Sequence, residues 1–187
     1  GVGLAVDYAR RFGVEDAYAE VRLHRDIFLG AVGFAVGGAA DAQFLPESSL
    51  RLEYASQQLG ITSVEAGLTI ARYPVGEVEK LMVRGRQQVA SHVQLDGLGV
   101  VVRDERDQTR TGYGVGASWM VRDVLQLDAA WVDAPESSEG ATIEVHATSL
   151  GATFDLGGRA RVRVGVTREE RESSTRTEFA LSLSQTF

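Results

Sequence analysis

Hydrophobic and polar residues alternate with a period of two along nearly the whole chain. Near its end, Phe179, Leu181, Leu183 and Phe187 share one parity, and small polar residues occupy most of the other. Successive side chains of a β-strand point to opposite faces, so this spacing predicts a strand with one apolar and one polar face. The same alternation begins at Val2 and recurs throughout, without a comparable helical stripe. The pattern predicts an all-β protein.

Two segments interrupt the regular alternation. Glu77 to Gln87 carries charge on both parities, and Thr142 to Phe154 indicates a parity shift midway, as at a β-bulge. With these segments counted as strands, the total is about twelve, and roughly ten to fourteen are allowed. Short spacings between the strands favour hairpins. We therefore predict a closed antiparallel up-and-down β-barrel.

The connections between the predicted strands alternate in character. Every other one is loose, polar or proline-containing, namely Phe12–Asp16, Gly38–Glu47, Tyr73–Glu77, Arg103–Arg110, Asp133–Gly140 and Arg168–Ser174. The others are tighter, namely His24–Asp26, Gln57–Gly60, Arg86–Val89, Val121–Asp123 and Asp155–Gly158. Barrels of bacterial outer membranes have short periplasmic turns and longer extracellular loops. The alternation predicts a transmembrane barrel in the outer membrane, with both termini at the periplasmic rim.

Aromatic residues sort with the same topology. Near the tighter connections are Phe28, Tyr54, Trp119, Phe154 and Phe187, and near the looser ones are Phe12, Tyr73, Tyr113 and Trp131. Membrane barrels carry girdles of aromatic residues at both interfaces. The sequence therefore predicts two sparse girdles.

Composition narrows the classes of function. The net charge of −7 without a basic patch argues against nucleic-acid binding. Cysteine is absent, which removes disulfides and thiolate metal sites, and His24, His92 and His146 have no spacing typical of a metal site. We expect no cofactor. The 187 residues suit one barrel domain spanning 1–187. Because Gly1 begins inside a strand pattern, we expect either a processed chain or the carboxy-terminal domain of a longer protein.

Mixed charges occupy the polar parity of the strands and would face the lumen of a closed barrel. They are Glu20, Arg22, Arg51, Glu53, Glu65, Asp128, Arg161 and Arg163. These side chains either line a polar conduit or form ion pairs that brace a filled interior. Barrels of eight strands have room only for side chains, whereas those of 16 to 18 strands leave an aqueous channel. A barrel of about twelve strands allows both alternatives.

Signals for an enzyme are weak, and we expect the protein to have no enzymatic activity. The alternative is a small outer-membrane enzyme acting on lipids, in which His146 with Thr148 or Ser149 and Glu144 forms an acyl hydrolase set. Two charged stretches, 104–107 and 168–172, could bind divalent ions or lipopolysaccharide headgroups, although solvated hairpin tips are commoner.

Several short motifs resemble the YaiO-type outer-membrane barrels. They are Arg11-Phe12-Gly13, Phe44-Leu45-Pro46-Glu47 leading into Leu50-Arg51-Leu52, a strand with Gly67 ending at Tyr73, Arg161-Val162-Arg163-Val164-Gly165, and the terminal Phe187. Related barrels are domains of exopolysaccharide-export proteins. The resemblance implies a narrow conduit or envelope scaffold, in polysaccharide export or a cell-envelope complex, with periplasmic or surface protein partners.

The aromatic ending also resembles the carboxy-terminal signature of outer-membrane barrels. That likeness implies an assembly signal at Phe179, Leu181, Leu183 and Phe187, which the barrel-assembly machinery would engage. Outer-membrane lipid and lipopolysaccharide would then surround the protein.

Overall fold

The structure is a computed structural model that describes residues 1–11, 14–57, 61–138, 141–157 and 160–185. Twelve β-strands form nearly all of this part of the chain, which confirms the prediction of an all-β fold of about twelve strands. In chain order they are β1 (Val2–Arg11), β2 (Val14–Ile27), β3 (Gly30–Ala39), β4 (Ser48–Ser56), β5 (Thr62–Tyr73), β6 (Gly76–Ala90), β7 (Val93–Arg103), β8 (Thr109–Arg122), β9 (Leu125–Ser138), β10 (Ala141–Asp155), β11 (Ala160–Arg171) and β12 (Ser174–Gln185). Within the described residues, no helix is long and apolar enough to cross a membrane.

Each strand pairs antiparallel with its neighbours in sequence, so the strand order runs from β1 to β12 without a crossover. This confirms the predicted up-and-down topology. Strands β1 and β12 are the two edges of the sheet, and the described ladder contains no pairing between them. Leu4 and Leu181 on these edges are 75% and 76% exposed, against 43% for Leu52 on the inner strand β4. Closure of the sheet stays a prediction.

The register of the ladder shifts at two places, between Gln88 and Ala90 and between Met120 and Arg122. The bulge predicted between residues 142 and 154 is wrong, because β10 pairs residue by residue with β9 and β11 there. The irregular pattern has another cause. Near the start of β10, Thr142 and Val145 are both buried although their parities differ, so polar and apolar residues do not alternate there. The Thr142 hydroxyl hydrogen-bonds Ser137.

The strands extend further into the looser connections than the sequence predicts. Only residues 74–75 separate β5 from β6, and only 172–173 separate β11 from β12, whereas the connections 40–47 and 104–108 are longer. The predicted sorting into long loops and short turns is therefore wrong for most connections. The residues at these hairpin ends are polar, and the sequence pattern therefore assigned them to loops. In the structure their backbones still pair as strands. We call the end that holds 40–47 and 104–108 the long-loop end. It consists mainly of hairpins whose paired strands extend beyond the apolar part of the sheet.

The two faces of the sheet differ in chemistry. The outer face carries apolar side chains that remain exposed, among them Val6, Val21, Phe34, Leu52, Val64, Val83, Leu95, Val115, Leu127, Leu150, Val164 and Leu181, one on each strand. Soluble monomers rarely expose so continuous an apolar surface. An outward apolar band around a polar interior is the arrangement of transmembrane β-barrels.

Candidate functional site on the inner face

The eight charged residues predicted for the lumen lie on the face opposite the apolar band, which we call the inner face. The cross-strand register places them there: Arg22 and Arg51 flank Ala35 from either side, and Glu53 lies between Gly33 and Gly67. Glu20, Glu65, Asp128, Arg161 and Arg163 share this parity on β2, β5, β9 and β11. Small residues between them leave room for long charged side chains.

A buried polar network forms the β2 side of the inner face. Glu20 is only 2% exposed and accepts hydrogen bonds from the Arg22 guanidinium and from the Tyr18 hydroxyl, the latter at 3.0 Å. The Tyr18 hydroxyl also hydrogen-bonds Ser49 on β4 at 2.5 Å. Buried charges are retained where such partners satisfy them. This part of the interior is packed by its own side chains.

Substitution of Gly37 tests that packing. An added Cβ at Gly37 would lie 2.5 Å from the Tyr18 hydroxyl and 2.6 Å from the carbonyl oxygen of Ala19. We expect Gly37→Ala to lower the free energy of unfolding by about 1–3 kcal/mol, the usual cost of overpacking. Urea unfolding in detergent micelles measures it. Gly33→Ala on the same strand and face is the control, because its Cβ would meet Glu53 no closer than 3.4 Å; an equal loss in both variants would contradict the prediction.

The sequence prediction missed several charged residues of the inner face, among them Lys80, Arg84 and Arg86 on β6 and Asp96 on β7. Their register pairs them inward with Val102, Leu98, Asp96 and Arg86. Charge on both parities concealed this pattern. In the structure Glu77 and Glu79 have outward parity but lie at the long-loop end of β6, whereas the inward charges begin at Lys80. Separating the strand end from its middle would have revealed them.

Three cavities open on the inner face. The largest, about 620 Å³, is lined by Arg84, Arg86, Asp96, Asp128 and Arg163 together with Gly114, Gly116, Gly151 and Gly165. A second of about 490 Å³ is lined by Arg51, Glu53, Glu65 and Lys80, and a third of about 310 Å³ by Asp128, Arg161 and Arg163. Six of the eight predicted residues therefore line one of these three cavities, and Glu20 and Arg22 belong to the buried network instead.

The charges around these cavities are unevenly neutralised. Arg86 bridges Glu65 at 3.1 Å and Asp96 at 3.2 Å. Arg51 lies 3.9 Å from Glu53, and Asp128 accepts hydrogen bonds from Ser118 and Gln126 at 2.7 Å each. In contrast, the side chains of Lys80, Arg84 and Arg163 have neither an ion pair nor a hydrogen bond within the described residues. Unpaired cations in a confined cavity attract anions.

Two buried carboxylates anchor the longer connections at the long-loop end. Asp16 accepts hydrogen bonds from the backbone N–H groups of Gln43, Phe44 and Leu45 at 2.8–3.1 Å. Asp16 therefore holds the connection 40–47, which lies far from it in the sequence. The sequence offers little signal for such contacts.

Asp104 is the second anchor and is fully buried. It accepts hydrogen bonds from the backbone N–H groups of Arg106 and Gln108 at 2.9 Å and from the Arg110 guanidinium at 2.8 Å, while Arg110 also reaches Glu144 at 3.3 Å. Burial by itself raises the pKa of Asp104, but these hydrogen bonds and the Arg110 charge outweigh it and lower the pKa below its usual range. No cluster able to hold a metal ion occurs among the described residues.

The structure separates Ser149 from the rest of the alternative acyl hydrolase set, because Glu144, His146 and Thr148 share the outer parity of β10. Ser149 has inner parity and lies opposite Ala130, whereas His146 has outer parity and lies opposite Asp133. Glu144 hydrogen-bonds Arg110 rather than His146, whose Nδ1 lies 3.0 Å from the Asp133 carboxylate. No hydroxyl hydrogen-bonds His146 within the described residues. The predicted nucleophile–base contact is thus not formed.

The aromatic residues follow the predicted girdles only in part. Tyr113 and Trp131 lie on the outer face and form an edge-to-face pair with ring centroids 5.4 Å apart. Tyr73 does not join them, since it packs against an inner cluster that contains Val78 and Val102. Its position at the end of β5 gives it inner parity, opposite Gly76. Phe12 and Phe187 lie outside the described residues.

Comparisons with known proteins add a fold but not a family. No family model matches the chain, and no curated protein matches it, so the resemblance to YaiO-type barrels is not confirmed. Among solved structures, the KdgM porin is similar, with a TM-score of 0.51 and 10% identity over 100% of this chain and 96% of that one. A second structure, KdgM porin in complex with disordered oligogalacturonate, gives 0.50 and 11% over 92% and 93%, and the NanC porin gives 0.50 and 6% over 92% and 94%. The chain shares the fold of porins.

Proposed function

We propose that this protein is an outer-membrane β-barrel channel that conducts hydrophilic anionic solutes. The observation that carries the proposal is the inner face, where Lys80, Arg84 and Arg163 line open cavities without an ionic partner. The exposed apolar band of the outer face supports placement in a membrane, and the shared fold with porins supports a channel. Porin-type barrels occur in outer membranes.

Acidic oligosaccharides are the solutes that fit this interior best. The largest cavity combines Arg84 and Arg163 with hydroxyl groups of Ser118, Ser149 and Thr167. Carboxylates pair with guanidinium groups, and sugar hydroxyls exchange hydrogen bonds with serine and threonine. The KdgM porin, which has the same fold, has been solved with oligogalacturonate. A passive pore has no intrinsic direction, so the proposal covers polysaccharide export as well as uptake.

Single-channel recording in planar bilayers tests the proposal. We expect discrete conductance steps with a preference for anions, because the unpaired lumen cations attract them. Arg84→Glu with Arg163→Glu should shift the reversal potential toward cation preference. Arg106→Glu is the control, since it makes the same charge change per substituted residue in an exposed loop. The absence of steps, together with co-purification of periplasmic or surface proteins, would support the envelope scaffold instead and overturn the channel.

The terminal strand serves assembly under this proposal. Phe179, Leu181 and Leu183 lie exposed on the outer side of β12, while Phe187 is outside the described residues. We propose that this strand is the part of the chain engaged by the barrel-assembly machinery. Its apolar row is accessible because these side chains are 72–80% exposed on the outer face.

A further inference from the structure

The outer face changes from apolar to charged along one level near the long-loop end. On β7, Val101 is followed at the same parity by Arg103; on β9, Trp131 is followed by Asp133; on β11, Val166 is followed by Arg168. The residues that begin the charged level are Arg72, Glu79, Arg103, Asp133, His146 and Arg168. In the membrane placement of the proposed function, this level meets the headgroups of the lipid leaflet at the long-loop end.

A compact group of side chains on β9, β10 and β11 lies at this level. Thr148 is opposite Trp131 on one side and Arg168 on the other, and His146 is opposite both Asp133 and Glu170. Side chains directly opposite one another in a sheet have Cβ atoms about 4.5–5.5 Å apart. We call these residues the outer-face cluster: Trp131, Asp133, His146, Thr148, Arg168 and Glu170.

We infer that the outer-face cluster binds the phosphorylated sugar headgroup of a glycolipid in the leaflet at the long-loop end. The indole of Trp131, held edge to face by Tyr113, offers a flat amphipathic surface at the membrane boundary. Beside it the Arg168 guanidinium is 64% exposed and presents the planar fork of donors that suits phosphate. An aromatic face and a guanidinium two strands apart match a ligand with adjoining sugar and phosphate groups.

His146 and Thr148 complete the contact with the sugar. The His146 imidazole is 54% exposed and has Nδ1 3.0 Å from the Asp133 carboxylate, which leaves Nε2 to contact a sugar hydroxyl. Thr148 lies between Trp131 and Arg168 and is exposed, so its hydroxyl can donate to the same ligand. Side chains from β9, β10 and β11 thus contact a single headgroup.

The direction in which Glu170→Gln changes lipid binding tests the inference. Its carboxylate lies 2.7 Å from the Arg168 guanidinium and competes with a phosphate for the same donors. If phosphate contacts Arg168 directly, Glu170→Gln frees the guanidinium and strengthens lipid binding. If a divalent cation bridged the carboxylate and the phosphate, the same change would weaken binding and would overturn the inference.

Native mass spectrometry of the delipidated protein in detergent with added bisphosphorylated lipid A measures the bound fraction. We expect Arg168→Ala with Trp131→Ala to weaken binding at least about tenfold, because a charged hydrogen bond and an aromatic contact are both lost. Arg72→Ala and Arg103→Ala are matched controls, since both remove an outward arginine at the same level on other strands. Lipid A without phosphates should bind as weakly as the double variant, and excess inorganic phosphate should displace little.

Equal binding by the cluster variant, the wild type and the two controls would overturn the inference. This inference rests on the proposed membrane placement but not on conduction. The cluster variant should keep the wild-type conductance, because its substitutions lie on the outer face. A wild-type protein that binds lipid A through the cluster yet conducts nothing would sink the channel alone, whereas conduction without cluster-dependent binding would sink only the lipid site.

Discussion

Leu52→Arg is expected to lower the free energy of unfolding in a bilayer by about 2–4 kcal/mol, the cost of arginine on the lipid face at the membrane midplane. Leu52 lies mid-strand on β4, between Phe34 and Leu68, within the apolar band. The guanidinium could reach neither water nor an acidic partner on that face. Unfolding by guanidinium chloride in lipid vesicles measures the loss.

A control on the other face tests the assignment of inside and outside. Thr167 lies mid-strand on β11 and lines the largest cavity, so Thr167→Arg places the same group in a polar, open space beside Glu178. We expect a loss within about 0.5 kcal/mol, as for substitutions away from packed features. If Leu52→Arg were harmless and Thr167→Arg severe, the two faces would have to be exchanged.

Asp104→Ala is expected to open the connection 104–108 while leaving the strands paired. The change removes the acceptor of two backbone N–H groups and of the Arg110 guanidinium. Trypsin should then cleave after Arg106 about tenfold faster or more, because local opening governs such cleavage. Asp107→Asn is the control in the same loop: among the described residues its exposed carboxylate pairs with Arg103, and asparagine tolerates the φ of 60° at this position. Similar cleavage of both variants would show that Asp104 does not hold the loop.

Acid should open the same connection in the unmodified protein. The pKa of Asp104 is lowered in the folded protein, so its contribution is present above the ordinary carboxyl pKa of about 3.9 and is lost as the pH falls through the lower folded value. Hydrogen exchange at the backbone N–H groups of Arg106 and Gln108, divided by the intrinsic rate at each pH, should therefore stay slow down to about pH 4 and rise below it. A rise that begins near pH 6 would point to another group.

Local alternation was enough to predict most of the fold. The period of two depends on a strand's own residues and not on its neighbours. The alternation from Val2 to Leu181 therefore predicts the strand type and the approximate number of strands, and the short connections predict the topology. Ends of strands were harder, because Glu136 and Arg171 are polar in sequence yet pair with each other across the projecting hairpins at 2.9 Å. Polarity there marks emergence from the apolar band and not the end of a strand.

The site was predicted in part for a related reason. Parity identifies inward side chains where the opposite parity is apolar, as around Arg51 and Arg163. It gives no signal at Lys80, whose strand also carries outward charges. Whether a charge is paired depends on register between strands: Arg86 meets Glu65 and Asp96, whereas Arg84 meets Leu98 on β7. Buried anchors such as Asp16 depend on contacts from 27 residues away or more, beyond any local pattern.

The unpaired edges of β1 and β12 bear on how the protein enters a bilayer. Hydrocarbon offers no water to the backbone groups of an edge strand, so a chain spanning a membrane must join these edges. The joining residues lie farthest apart in the sequence, and entropy makes such a contact slow and late to form. Substitutions at Leu4 or Leu181 should thus be felt first in the speed of insertion, with half-zipped intermediates accumulating before any loss of stability is seen.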